Sequence, residues 1–342
     1  MTTLVAWVVV FGLLIAIHES GHFLVAKAFG MRVDEFSLGF GPALGKKRFR
    51  ETLYALRAIP LGGYVRLAGM EANRTQDPRE FPNRPLWQRF MVILAGPMMN
   101  LALAAVLYGL AFGPVGIPTL TTTVAQTVPK YPAYAAGVRP GDRIVRIDHQ
   151  PIASWTQLKA AIQQHQHQSM TVTLSRGGKT QTISVQPKWD PASKSYIIGI
   201  QPATRLVRQR PLSAVWSGIR QTVLLTGGWF SFMAGLVQGR GVAQVVGPVG
   251  IAVAVGRAAQ AGMSYLVVLS AGLSANLGLF NILPIPVLDG SRLALLALEG
   301  IRRKAMDPER ETLIHLVGMV ALLFFVLFVT YHDIVRYLHS GG

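Results

Sequence analysis

The stretch IAIHESGHFLV, residues 15–25, carries the densest chemistry in the chain. His18 and His22 stand four residues apart, so one face of a helix presents both imidazoles. Glu19 is adjacent to the first. The pattern H-E-x-x-H on a helix binds zinc through its two imidazoles and uses the carboxylate as general base. A tetrahedral catalytic zinc takes a third protein ligand and leaves its fourth position to water, whose pKa falls from about 16 to about 7. The Glu19 carboxylate would accept that water's proton and later deliver it to a leaving amine.

The setting sharpens this reading. Residues Leu4 to Ile17 contain no charge, and apolar residues resume at Phe23. In a soluble protein the same five residues are most simply two surface histidines. Inside an apolar helix each ionisable residue costs about 2.5–3.5 kcal/mol, so three clustered ones are paired or functional. The third ligand has to be a His, Asp or Glu at similar depth, and the candidates are Asp289, Glu299, His315 and Asp333. Asp289 is the strongest. It closes NILPIPVLDG, where two prolines interrupt an apolar segment, and broken backbone at membrane depth is tolerated only beside protein or water.

The elements that position these groups are membrane elements. Hydrophobic residues make up 51% of the 342, only 14% are charged, and the mean hydropathy is +0.37. That composition excludes an ordinary soluble domain. The formal charge of +17 lacks the aromatic-interleaved basic stripe of a nucleic-acid binder, so no nucleic acid is expected. The basic residues cluster between apolar segments, at Lys46, Lys47, Arg48 and Arg50 and again at Arg302, Arg303 and Lys304, as in cytoplasmic loops facing anionic lipid. With no cysteine, disulfides, thiolate ligands and a Cys nucleophile are excluded. The first apolar run lacks a basic n-region and a small-residue cleavage site, so it reads as a retained helix.

Four segments are long enough to span about 30 Å of hydrocarbon: Leu4–Phe29, Met91–Phe112, Met263–Leu283 and Leu313–Tyr331. Between the first two, FSLGFGPALG and LRAIPLGGYVRLAGM are too rich in Gly and Pro for a helix and read as short strands or hairpins. Residues 119–203 read as a small α/β module. Its helix SWTQLKAAIQQ has Ser154 as N-cap, and SMTVTLSRGGKTQTISVQP is a hairpin turning at Gly177-Gly178. His165 and His167 there read as solvated. The stretch 211–239 is amphipathic, with Arg220 in its middle and Gly227-Gly228 as a helix break. It is expected along the outer membrane surface. Placing the N-terminus outside then puts Asp289 at the depth of the histidines, near the cytoplasmic side, and leaves the α/β module outside.

HESGH in the first span, AGPMMN in the second and NILPIPVLDG in the third, in that order over nearly the whole chain, resemble the site-2 protease family of intramembrane zinc metalloproteases, in its bacterial RseP-like group with a single PDZ domain. The resemblance implies an α-helical polytopic membrane protein with a four-transmembrane-helix metalloprotease core, membrane-associated β hairpins over Phe36–Met70 and one inserted PDZ (α/β) domain. The expected divisions are 1–115, 116–205 for the PDZ-like domain, 206–260 for an interfacial segment and 261–342. It implies one Zn2+ held by His18, His22 and Asp289, with Glu19 as base. It also implies substrate-binding residues Asn281 and Asn100, with Pro284, Pro286 and Gly290 setting the shape of the motif. AYAAGVRPGDRIVRIDHQPI, residues 133–152, carries the PDZ likeness, and Ile198, Gly199 and Ile200 are the expected groove edge for a peptide ligand. A steric gate is the alternative role of that module.

The implied activity is regulated intramembrane proteolysis of single-span proteins, such as anti-sigma factors, or of remnant signal peptides, in a bacterial inner membrane. A PDZ membrane scaffold with a structural metal site is the alternative, but a closed structural site has no use for Glu19. A metal-dependent transporter would show paired broken helices in repeated halves, and one broken segment is visible.

Overall fold

The computed structural model describes residues 2–70, 75–191, 193–239, 246–304 and 308–339. The chain forms two compact units, 116–208 and the remainder. The larger unit comprises 1–115 and 209–342.

The larger unit begins with α1 (Thr2–Ala28), which contains His18, Glu19 and His22. A hairpin follows, β1 (Val33–Phe49) and β2 (Thr52–Leu67), turning where Arg50 takes the left-handed conformation. Of the short strands or hairpins expected from the Gly and Pro content, the structure has one long hairpin, with strands of 17 and 16 residues. Repeated register shifts absorb the irregular residues without ending the pairing. Buried Glu35 fastens the hairpin: it accepts hydrogen bonds from Arg57 Nη2 (2.5 Å), the Tyr64 hydroxyl (2.7 Å) and Arg66 Nη2 (3.0 Å).

Helix α2 (Leu86–Leu110) continues through a wider turn at Ala111–Val115 and contains Pro97. Proline there cannot donate to the carbonyl of Ile93. The inserted module comprises β3 (Ile117–Thr127), α3 (Pro132–Ala135), β4 (Arg143–Ile147), β5 (Gln150–Pro151), α4 (Trp155–His165), β6 (Met170–Arg176), β7 (Lys179–Val185), β8 (Lys188–Asp190), β9 (Ser195–Ile197) and β10 (Ile200–Val207). Its main sheet runs β10-β3-β4-β6-β7 over a core that includes Val124, Ile144, Leu158, Met170, Leu174 and Ile198. The Ser154 hydroxyl caps α4 by accepting from Gln157 N (3.3 Å), and β6 turns into β7 at Gly177-Gly178, both with positive φ.

The chain then forms α5 (Pro211–Val237), α6 (Pro248–Ala261), α7 (Met263–Ile282), α8 (Asp289–Arg302) and α9 (Pro308–His339). Among the described residues, four helices are long and apolar enough to cross a membrane, over Thr3–Ala28, Leu86–Val115, Met263–Ile282 and His315–Val335. The last exposes most of its apolar surface, including Leu316, Leu323, Phe324 and Phe328. Lipid is the solvent that suits such a face.

α5 departs from the expectation on two counts. Gly227-Gly228 does not break it, a glycine inside a helix costing only about 1 kcal/mol relative to alanine. Nor does it lie across the ends of the spans. It packs lengthwise on α2, with Gly218 against the Ala105 carbonyl and Ala214 beside Gly109, and its Trp229 ring meets Phe280 of α7 at a centroid distance of 5.6 Å. α6 packs on α1, with Ile251 and Val255 in one cluster with Val10 and Leu14.

Candidate metal centre and substrate cleft

α1 and α2 run in opposite directions in close contact, with Gly21 against the Ala95 carbonyl. This brings AGPMMN of α2 alongside HESGH of α1. Gly96 leaves the space that the two imidazoles occupy: a Cβ there would overlap His22 Nε2 and lie 2.9 Å from His18 Nε2. α7 also seats against α2, its Gly278 2.7 Å, measured from an added Cβ, from the Pro97 carbonyl oxygen. α7 ends at Ile282 and the chain turns through Pro284 and Pro286 into α8, whose first residue is Asp289. Gly290 permits that turn, since a side chain there would collide with the carbonyls of Ile282 and Leu283.

Asp289 Oδ2 thus arrives 2.9 Å from His18 Nε2 and 3.2 Å from His22 Nε2, and the two Nε2 atoms are 3.3 Å apart. Ligands about 2.0–2.1 Å from a tetrahedral zinc stand about 3.3 Å from one another. The triangle therefore fits three corners of such a site, and Gly96 is the cradle that keeps it clear. His22 is already in the ligating tautomer: its Nδ1–H donates to the Val92 carbonyl (2.8 Å), which frees the Nε2 lone pair. Among the described residues, these three form the cluster of His, Asp and Glu with metal-ligand spacing.

The other candidate ligands are engaged elsewhere. Glu299 pairs with Arg89. Asp333 is buried and accepts from the main-chain N–H groups of Gly247 (3.2 Å) and Gly250 (2.8 Å) at the start of α6. His315 Nδ1 accepts from Val287 N at 3.3 Å.

A cleft of about 300 Å³ opens on the triangle, lined by Glu19, Gly63, Tyr64, Asn281 and Arg292 besides the three ligands. Glu19 is half-buried there, on the helix turn that also carries His18 and His22. Asn281 Nδ2 donates to its own helix at the Leu277 carbonyl (2.9 Å). Asn100 is not in this cleft. It is fully buried on the face of α2 toward α1, with its side-chain nitrogen 3.2 Å from His18 Nδ1. The structure thus places Asn100 against His18 and outside the cleft, because the antiparallel crossing of α1 and α2 turns position 100 inward.

Residue pattern alone missed Gly96, the Val92 carbonyl and Arg292. A main-chain acceptor leaves no signature in sequence. Arg292 could have been singled out: it lies one turn into α8, where the helix dipole disfavours a cation, and its Nη1 sits 3.7 Å from Met70 Sδ beside the cleft.

In the module, Ile198 and Gly199 are not an open edge. The Ile198 carbonyl accepts from Ala133 N (2.9 Å) and that of Gly199 from Val128 N (2.8 Å), while from Ile200 onward β10 pairs with β3. The space between β9 and α4 is bridged by Gln163, whose Nε2 donates to the Tyr196 carbonyl (2.7 Å). His165 Nε2 contacts Asp148 Oδ2 at 2.7 Å and so is paired, not simply solvated.

Residues 6–325 match peptidase family M50. A candidate zinc metalloprotease of Clostridium acetobutylicum is 34% identical over 96% of this chain and 96% of its own length. The zinc metalloprotease RasP of Geobacillus kaustophilus is 28% identical over 98% of this chain and 99% of its own. A solved PDZ domain of an SdrC-like protein of Listeria innocua covers 24% of this chain and 92% of its own, at 23% identity and a TM-score of 0.22. With four apolar helices among the described residues and a triangle of His18, His22 and Asp289 with metal-ligand spacing, a match over this span leaves one assignment: the chain belongs to peptidase family M50, the site-2 protease family, and is a multi-pass membrane zinc metalloprotease.

Proposed function

We propose that the protein cleaves single-span membrane proteins, such as anti-sigma factors, or remnant signal peptides, within the membrane and near its cytoplasmic face, as a step of regulated intramembrane proteolysis. The observation that carries this reading is Glu19 lining an open cleft beside a triangle of three ligand atoms. His18, His22 and Asp289 hold one Zn2+ per chain. Zinc at this position supplies a Lewis acid that brings water within reach of ionisation near neutral pH.

The chain's own groups do the rest. The Glu19 carboxylate takes the proton of the attacking water and returns it to the leaving amine nitrogen. Asn281, fixed by its bond to Leu277, offers its amide to the substrate backbone, and Pro284, Pro286 and Gly290 hold the turn that aims Asp289. A helical substrate hides its carbonyls in i→i−4 bonds, so it has to open locally; β2, which borders the cleft through Gly63 and Tyr64, supplies a strand against which an extended segment pairs.

The PDZ-like module lies outside the cytoplasm and either binds a peptide or gates entry. The engaged carbonyls of Ile198 and Gly199 favour the gate, or a peptide site other than that strand. A bacterial inner membrane is the compartment this chemistry and charge distribution fit.

Glu19→Gln in the intact protein tests the proposal. The amide cannot accept a proton, so cleavage of a single-span test substrate falls by about 10²–10⁴ while bound zinc stays at one equivalent. Cleavage at the wild-type rate would sink the mechanism. Asp289→Ala loses the metal. Full retention of zinc by that variant would place the third ligand elsewhere.

A further inference from the structure

The arrangement of His18 and His22 is asymmetric. Both must present Nε2 lone pairs to one ion, so both must carry the ring proton on Nδ1. His22 has a dedicated acceptor for that proton in the Val92 carbonyl (2.8 Å). For His18 the polar group at Nδ1 is the Asn100 side-chain amide, 3.2 Å away through Nδ2, while Asn100 Oδ1 is buried with no partner.

With Nδ2 toward the ring, His18 Nδ1 would have to accept, its proton would move to Nε2, and the ring would be unable to ligate. Turning the amide by 180° presents Oδ1 to Nδ1–H instead. Side-chain oxygen and nitrogen of Asn exchange places at little steric cost. The backbone at this point is held: Ser274 of α7 donates its hydroxyl hydrogen to the Asn100 main-chain oxygen at 2.7 Å, and Asn100 itself is fully buried.

We infer that Asn100 is a positioning residue of the metal site, whose Oδ1 accepts from His18 Nδ1–H and so fixes His18 in the zinc-binding tautomer and ring orientation. This rests on the metal site proposed above. Groups that orient ligating imidazoles affect metal affinity by about 10–100-fold, and the effect is readable without any cleavage assay.

The test compares wild type, Asn100→Asp and Asn100→Leu as intact, metal-stripped proteins in detergent. Zinc affinity is read by chelator competition and helix content by circular dichroism. Leucine has no acceptor, and binding weakens by about 10–100-fold. Aspartate can only accept, so it retains affinity within about threefold of wild type, the carboxylate–histidine–metal arrangement being a common one. Wild-type affinity in Asn100→Leu overturns the inference. So does a tenfold or greater loss in Asn100→Asp, which would mean that the amide acts as a donor; that comparison stands alone if the leucine variant fails to fold. Failure of the wild-type protein to bind zinc would instead remove the metal site itself.

Discussion

Gly96 of α2 faces His22 of α1 so closely that a single added carbon would overlap the Nε2 atom. The same carbon would stand 2.9 Å from His18 Nε2, so one methyl group at position 96 displaces two ligands at once. Separating the helices to make room would give up the close approach of Gly21 to the Ala95 carbonyl.

Gly96→Ala is therefore expected to reduce zinc affinity at least tenfold, read by metal analysis of the purified protein. Gly12→Ala, where the added carbon meets nothing within 4 Å, is the matched control and keeps the metal. Equal zinc in both variants would show that the imidazoles do not depend on the Gly96 cradle.

Asn281→Ala is expected to keep zinc and lower turnover. Asn281 lines the cleft but lies outside the ligand triangle. Its loss removes a group that orients the substrate backbone, and misplacement of about 1 Å can cost about 10²-fold in rate. Cleavage of a single-span substrate together with metal content separates the cases: loss of zinc in step with activity would make Asn281 a structural residue.

The grouping of His18, His22 and Asp289 was legible because metal chemistry restricts residue types and helical spacing does the rest. His18 and His22 share a face by arithmetic, and Asp289 stands out because two prolines break the segment before it. What supports them was not legible. The Val92 carbonyl has no side-chain signature, and the inward turn of Asn100 follows from an antiparallel helix crossing that no local pattern encodes. α5 was misread for a related reason: Gly227-Gly228 is a local break signal, but Gly218 packs on Ala105, and packing outweighs propensity. The hairpin was underestimated because bulges let Gly and Pro stay inside long strands.

Stability of the inserted module is expected to depend on pH through Asp142. This buried carboxylate accepts from Arg176 Nε and Nη2, both at 2.7 Å, and from Arg139 N at 2.8 Å. The Arg176 bonds hold its carboxyl below the usual carboxylate range, against the opposing effect of burial. A depressed folded-state pKa gives stability that is present above the unfolded value, about 3.9, and is lost as pH falls toward the folded one. Asp142→Asn leaves Arg176 without its carboxylate and removes this pH-dependent contribution to stability. Amide-exchange protection of β6 in the intact protein checks this. Protection in Asp142→Asn equal to wild type at pH 7 would remove the ion pair from the account.

The last expectation concerns which side of the membrane each connection faces. The chain leaves α2 for the inserted module and returns at the same end, where Gln209 N donates to the Phe112 carbonyl (2.8 Å). α5 then runs along α2 toward the Phe280 end of α7. α6 comes back along α1, its Ile251 and Val255 beside Val10 and Leu14 and its Gly256 against Thr3. Descent and return cancel, so α7 begins at the level of the α1 N-terminus, runs parallel to α1 and delivers Asp289 to the depth of His18. Parity is the same as if 211–239 had stayed on the surface, although the path differs. The absence of native cysteine makes this measurable. Single cysteines at the exposed positions Gln150 and Gln260 should both react with an impermeant reagent from outside, and one at Arg303 only after permeabilisation, as the basic cluster on the cytoplasmic side requires. Labelling of Gln150 from outside but of Gln260 only from inside would mean that α5 crosses without α6 returning. Asp289 could not then reach the histidines from the direction that the ligand triangle demands.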